Sequence, residues 1–227
     1  MLYYTLDLSL ELIAIDGPVA VGKSSVGSLL ARKLKFSFFD TGIIYRTFTW
    51  KVLKLGIPPE DENKLSHLAA ITKFDFVPAQ GGCLSVLIDN EDVSSRLACS
   101  QIEENVSLVS KVAGVRQKMV SEQRAVAQKG KLVMAGRDIG TVVLPWAELK
   151  FFLVASVEER ANRRYKELLE RGERVDYGVV LTELRLRDDI DIHRAISPLK
   201  PASDAIIIDT EKLNLEQVVD NIYDLAV

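Results

Sequence analysis

The run Gly17-Pro18-Val19-Ala20-Val21-Gly22-Lys23-Ser24 has residue types and spacing suited to holding a phosphate chain. Gly17 and Gly22 leave room for backbone turns that a side chain would obstruct, so successive N–H groups can face inward around an anion. Lys23 adds a positive charge within reach of β- and γ-phosphates, and the Ser24 hydroxyl can ligate a Mg²⁺ carried by a nucleotide. Ser25 continues the stretch. A plain strand-to-helix turn with a solvated lysine is the bland alternative. It leaves the complete match to G-x-x-x-x-G-K-[ST] unexplained.

Other charged residues stand at the ends of apolar runs. Asp40-Thr41-Gly42 closes Phe36-Ser37-Phe38-Phe39, and Tyr45 and Arg46 follow within one helical turn. A core tyrosine and a surface arginine are the equal alternative there. Gly136-Arg137-Asp138-Ile139-Gly140-Thr141 closes Lys131-Leu132-Val133-Met134-Ala135, with a purely structural arginine–aspartate pair as the competing reading. Arg160, Arg163 and Arg164 share one charged stretch, and Arg185, Arg187, Asp188, Asp189, Asp191, His193 and Arg194 the next. Alternating charges usually mark a solvated helix face. Arginines on two neighbouring helices with few apolar residues also suit an arm that folds over phosphates.

To meet, these residues need a scaffold. Leu12-Ile13-Ala14-Ile15 reads as a strand before the loop, and Val26, Leu29, Leu30 and Leu34 form the apolar stripe of a helix after it. Strand, loop, helix and strand make a βαβ unit, which predicts an α/β fold with a parallel, doubly wound sheet. Ligands in such sheets bind beyond the carboxyl ends of the strands. The spacing predicts a helix over 43–55, closed by Gly56-Ile57-Pro58-Pro59. Residues 59–100 change texture: a helix over 60–70, strands over 74–77 and 83–88, and a turn at Asp89-Asn90-Glu91-Asp92. Antiparallel pairing inside a βαβ series predicts an inserted subdomain, expected to recognise a second substrate. Residues 101–128 read as helix interrupted near Ala113-Gly114, carrying Ser110, Arg116 and Arg124. A strand over 149–154 and helices over 157–171 and 179–192 follow. Pro198 and Pro201 end the arm, and 205–209 and 215–226 supply the last strand and helix.

A chain of 227 residues accommodates one large α/β domain with an insertion. A formal net charge of −3 provides no global basic field, so no nucleic-acid partner is expected and phosphate binding must rest on local clusters. Cys83 and Cys99 form no C-x-x-C pair, and two histidines make no zinc-like cluster, which fits a reduced, cytoplasmic setting. Residues 1–10 lack the basic start of a secretion signal, and no apolar run approaches membrane-spanning length, so no membrane partner is expected. Whether Tyr3 and Tyr4 pack on the body is left open.

Ile15-Asp16-Gly17-Pro18, Asp40-Thr41-Gly42-Ile43-Ile44-Tyr45-Arg46, Gly136-Arg137-Asp138-Ile139-Gly140-Thr141-Val142-Val143 and Arg187-Asp188-Asp189-Ile190-Asp191 with Arg194-Ala195 resemble the successive motifs of the bacterial cytidylate kinases, P-loop nucleoside monophosphate kinases. The resemblance spans about 11–225. It implies phosphoryl transfer from ATP, with Mg²⁺, to CMP or dCMP by a monomer. It also implies a P-loop NTPase core with a five-stranded parallel sheet over 1–57, 101–154 and 203–227. An inserted monophosphate-binding subdomain over 58–100 and a lid over 155–202 complete the expected organisation. Carried over by motif, residues 17–25 bind ATP, and Thr41, Tyr45, Arg46, Ser110 and Arg116 line the CMP site. Gly136, Arg137 and Asp138 recognise cytosine and phosphate, Asp191 contacts the sugar, and Arg187 and Arg194 close on phosphates. Lys23, Arg137, Arg187 and Arg194 are the implied catalytic set. Ser24 is the implied metal ligand. Ala135 stands where the family usually has an acid that helps order Mg²⁺, and Asp16 or water is the expected substitute.

The chemistry agrees with this set. Phosphoryl transfer needs in-line positioning and charge stabilisation more than covalent participation, and guanidinium forks fit phosphate oxygens bidentately. The acceptor phosphate is already anionic at neutral pH, so no base is named. Asp138 can accept from the cytosine amine that uracil lacks. A kinase for another nucleotide or for shikimate would need a different motif after the second strand. A GTP-dependent switch would need N-K-x-D, which does not occur. A non-catalytic ATP-binding module remains the third reading.

Overall fold

The computed structural model describes residues 10–227. The expectations for residues 1–9, Tyr3 and Tyr4 included, lie outside the described residues. Continuous apolar runs form the strands of a parallel sheet, the central ones buried on both faces and the edge strand β8 largely exposed. These are β1 (Leu12–Asp16), β2 (Ser37–Asp40), β6 (Leu132–Gly136), β7 (Leu149–Val154) and β8 (Ile206–Asp209). They pair in parallel in the order β2-β6-β1-β7-β8. The expected five-stranded parallel sheet is therefore present.

Period-two alternation sends successive side chains to opposite layers. Leu12, Ala14, Phe39 and Met134 join Ile44 and Phe48 of α2 (Gly42–Lys54), Val109 of α4 (Ser100–Lys111) and Met119 of α5 (Ala113–Ala127). Ile13, Ile15, Phe38 and Val133 join Val26 and Leu30 of α1 (Lys23–Leu34) and Val218 and Ile222 of α8 (Leu215–Asp224) on the other side. Each fully buried side chain of this size contributes about 1.5–3 kcal/mol relative to exposure. Register places the strand ends side by side: Asp16 opposite Gly136, and Asp40 opposite Ala135. Three motif-bearing turns thus open on one edge of the sheet.

Between α2 and α4 lie α3 (Glu62–Ile71) and an antiparallel sheet of β3 (Phe74–Pro78), β4 (Leu84–Ile88) and β5 (Glu91–Asp92). Asp61 starts α3 by accepting from Lys64 N at 3.0 Å. Phe74, Val86 and Ile88 share one apolar cluster with Phe39 and Phe48 of the main body. The insertion is therefore anchored through the common core.

The arm consists of α6 (Val157–Glu170) and α7 (Tyr177–His193), started by Ser156 and Asp176, whose side chains accept from Glu159 N and Val179 N. Ala161, Leu168, Val180 and Leu184 form its small core, against which Val19 and Ala20 of the phosphate loop pack. The solvated-face reading fails for Arg160, which is buried. Most element ends fall within a residue or two of expectation. The break after α4 is Val112 alone, with Ala113 and Gly114 already in α5. A short π-helix, Ile139–Val143, follows the Gly136-Arg137-Asp138 turn. Among the described residues no helix is long and apolar enough to cross a membrane.

Candidate active site

The phosphate loop takes its shape from backbone that side chains would resist. Gly22 sits in the left-handed region at φ 97°, directly before the first helical residue, Lys23. A Cβ on Gly17 would fall 2.5 Å from the Leu153 carbonyl oxygen, so only glycine lets the loop lie against the end of β7. Val21 is buried beneath the loop, while Ser24 and Ser25 face solvent at the start of α1.

Lys23 is 8% exposed and its Nζ donates to the Pro18 carbonyl at 2.5 Å, across the loop interior. Burial, with Arg137 adding like-charge repulsion, holds its ammonium well below the usual lysine range. A phosphate chain entering the loop would add to the counter-charge of Asp40 and Asp16.

The Ser24 hydroxyl donates to Asp40 Oδ2 at 2.6 Å. The other oxygen, Asp40 Oδ1, accepts from Gly42 N, the first N–H of α2, at 2.8 Å, while Arg46 Nη2 lies 3.8 Å from Oδ2. Thr41 is buried and spends both its N–H and its hydroxyl on the Ala135 carbonyl, each at 2.9 Å. Gly136 abuts it closely, since a Cβ there would fall 2.6 Å from Thr41 Oγ1.

Asp16 braces the turn that follows β6. Its carboxylate accepts from Ile139 N at 2.8 Å and Gly140 N at 2.7 Å, bracing the π-helix. Burial pushes its pKa up to about 6, against the pull of those two N–H groups. Asp40, rather than Asp16, is the carboxylate that meets Ser24.

Beyond the strand ends runs a chain of alternating charge. Arg116 Nη2 contacts Asp138 Oδ2 at 2.5 Å, with both side chains almost wholly buried. Arg194 lies 3.6 Å from Asp138 and 3.4 Å from Asp191, and Arg137 Nε donates to Asp191 Oδ2 at 2.8 Å. Arg137 and Asp138 are adjacent in sequence yet face different partners. Burial alone would raise the Asp191 carboxyl, but Arg137 and Arg194 hold it below the usual carboxylate range. Among the described residues, buried Arg116 Nε and Arg194 Nη2 have no hydrogen-bond partner. Such donors cost about 1–3 kcal/mol each unless a ligand or water satisfies them.

Tyr45 is buried, its ring 5.5 Å from the Arg116 guanidinium, and burial pushes its hydroxyl up to about 12. It is thus both a core residue and a wall of this cluster. Ser110 contributes its carbonyl, which accepts from Arg116 Nη1 at 3.1 Å. Its hydroxyl turns back to the Ser107 carbonyl. Arg187 reaches down from α7 to Glu103 Oε2 at 2.9 Å. Arg160 ties the arm to the loop, donating to the Val19 carbonyl at 3.1 Å and pairing with Asp188 at 2.6 Å.

The structure therefore gathers Lys23, Ser24 and Arg46 at the loop edge, and Arg116, Arg137, Asp138, Asp191 and Arg194 in one buried network. Asp40, Glu103 and Arg160 were not singled out as site residues by the sequence. Asp40 had a signal, since it precedes Thr41-Gly42 at a strand end. Glu103 had none, being one of two adjacent acids on an amphipathic helix.

Comparison with known proteins shows the family of the chain. The family model described as Cytidylate kinase matches residues 13–227. A cytidylate kinase of Bacillus licheniformis is 44% identical over 214 residues, covering 94% of this chain and 95% of that protein. One from Pelotomaculum thermopropionicum is 47% identical over 207 residues, covering 91% and 92%. With the match running from the phosphate-loop strand to the last helix, and near-complete coverage in both directions, the chain belongs to the cytidylate kinase family.

Proposed function

We propose that this enzyme transfers the γ-phosphoryl group of ATP to CMP and dCMP by direct in-line displacement, giving ADP and CDP or dCDP. The buried Arg116–Asp138 pair carries the reading. Cytosine offers an amine donor beside ring acceptors, and Asp138 beside Arg116 offers an acceptor beside donors. Uracil presents a carbonyl where the amine would be and meets the Asp138 carboxylate unfavourably. Arg46, Arg137 and Arg194 receive the monophosphate, and Asp191 the sugar.

Residues 17–25 hold the triphosphate, with Lys23 giving up its contact to Pro18 for the β- and γ-phosphates. Ser24, with Asp40 behind it, is the fitting place for Mg²⁺. The chemistry that ion supplies when bound is neutralisation of charge on the triphosphate. Ala135 cannot assist, and its neighbour in register, Asp40, presents the carboxylate on the same edge. Arg187 and Arg194 come from the arm, so the charge-stabilising set is complete only when the arm lies over the loop, which also keeps water from the γ-phosphoryl group.

The proposed division is a core over 1–57, 101–154 and 203–227, a monophosphate-binding insertion over 58–100 and a lid over 155–202. The free thiols Cys83 and Cys99 fit a reducing, cytoplasmic setting, and the family reading implies a monomer. The test is a coupled assay of ADP release with ATP and each nucleoside monophosphate in turn. Turnover is expected with CMP and dCMP; failure with both overturns the assignment.

A further inference from the structure

Glu103 lies in the first turn of α4, directly after the insertion, and α4 packs against the helix that carries Arg46. Its carboxylate accepts from Arg187 Nη1 at 2.9 Å, across 84 positions of sequence, with side chains only 29% and 22% exposed. Burial would raise the Glu103 carboxyl, but Arg187, Arg46 and Arg164 together hold it below the usual range. Arg187 of α7 is thus in direct contact with this half-buried carboxylate, and the charges of Arg46 on α2 and Arg164 on α6 also act on it. A contrasting pair sits on the same arm. Arg185 meets Glu158 with both side chains largely in solvent, 60% and 57% exposed, as an ordinary surface ion pair does.

We propose that Glu103 is a positioning residue for phosphoryl transfer, holding Arg187 down against the body so that its remaining N–H donors face the transferred group. The proposal rests on the reading of Arg187 as a phosphate-closing arginine. A guanidinium has five N–H donors, and Glu103 occupies one. Contact with phosphate therefore does not require the ion pair to break. Arg46 lies by Asp40 and Arg164 pairs with Glu167, so without Glu103 it is Arg187 that would have to be ordered anew in each turnover. Catalytic donors act most strongly when they are already aimed at the site of developing charge.

The test is a double-mutant cycle in the full chain: Glu103→Gln, Arg187→Gln and the double variant, with CMP varied at saturating ATP. Glutamine keeps the shape and a carbonyl acceptor, so this substitution removes charge while leaving packing in place. Glu103→Gln is expected to lower kcat about tenfold, with KM for CMP changed less than about threefold. Arg187→Gln is expected to lower kcat about a hundredfold. The double variant should match Arg187→Gln alone, because the two residues act through one contact. A merely structural role would instead give losses that multiply, and that result, or wild-type kcat in Glu103→Gln beside a large loss in Arg187→Gln, overturns the role of Glu103. Wild-type turnover in Arg187→Gln would overturn the reading of Arg187 itself. The two failures are thereby distinguished.

Discussion

Ser24 Oγ donates to Asp40 Oδ2 at 2.6 Å, joining the first turn after the phosphate loop to the end of the edge strand β2. Asp40 stands in register with Ala135, the position at which the family resemblance implies an acid in relatives. A carboxylate bonded to the loop hydroxyl can orient that hydroxyl and the water around a Mg²⁺ held there. Asp40→Asn is therefore expected to weaken Mn²⁺ binding to the ADP-loaded enzyme about tenfold, read by electron paramagnetic resonance. ADP binding without metal should stay within about twofold. Unchanged Mn²⁺ affinity would leave Asp40 with only its contact to Gly42 N.

Asp16 makes a prediction about pH. Its folded-state pKa of about 6 lies above the ordinary aspartate value of 3.8, so between these values the folded state binds the extra proton. Its contribution to stability is full below the lower value and is lost as pH rises through about 6, on the order of 3 kcal/mol. Urea unfolding at pH 4, 5, 6 and 7 of wild type and Asp16→Asn should show this difference in slope. Ile139 N and Gly140 N are met by separate oxygens, so asparagine replaces one of the two acceptors with an NH₂ donor, and where Asp16 is ionised the variant should be less stable than wild type only by the cost of that one bond. Parallel stability profiles for the two proteins would refute the assignment.

Arg160 ties the arm to the Val19 carbonyl. Hydrogen bonds to charged groups contribute about 1.5–3 kcal/mol, so Arg160→Ala is expected to raise KM for ATP about tenfold or more. The looser arm should also increase ATP hydrolysis without CMP relative to transfer with it. Unchanged KM and an unchanged hydrolysis-to-transfer ratio would show that this contact does not govern closure.

The core was readable because its signals are local. Leu12-Ile13-Ala14-Ile15 and the stripe of Val26, Leu29, Leu30 and Leu34 follow the periods of strand and helix, and the βαβ order fixes parallel pairing. The strand over 149–154 was read to the residue. The π-helix at Ile139–Val143 was not legible, because it depends on Asp16 reaching it from 123 positions away in sequence. The same limit applies to Arg160, whose burial comes from Val19 and Asp188, and to Glu103, whose partner lies on the distant arm. Residue types at a site are written in motifs. The pairing of charges across elements is set by tertiary geometry.

The central claim is that Asp138, held beside Arg116, selects cytosine. The direct measurement is kcat/KM for CMP and for UMP with wild type and with Asp138→Asn. An amide in place of the carboxylate weakens acceptance from the cytosine amine and offers a donor to the uracil carbonyl, a change worth about 1–3 kcal/mol. The expected result is a CMP preference over UMP that falls at least about tenfold, mostly through loss of CMP turnover. An unchanged CMP-to-UMP ratio in Asp138→Asn would contradict it.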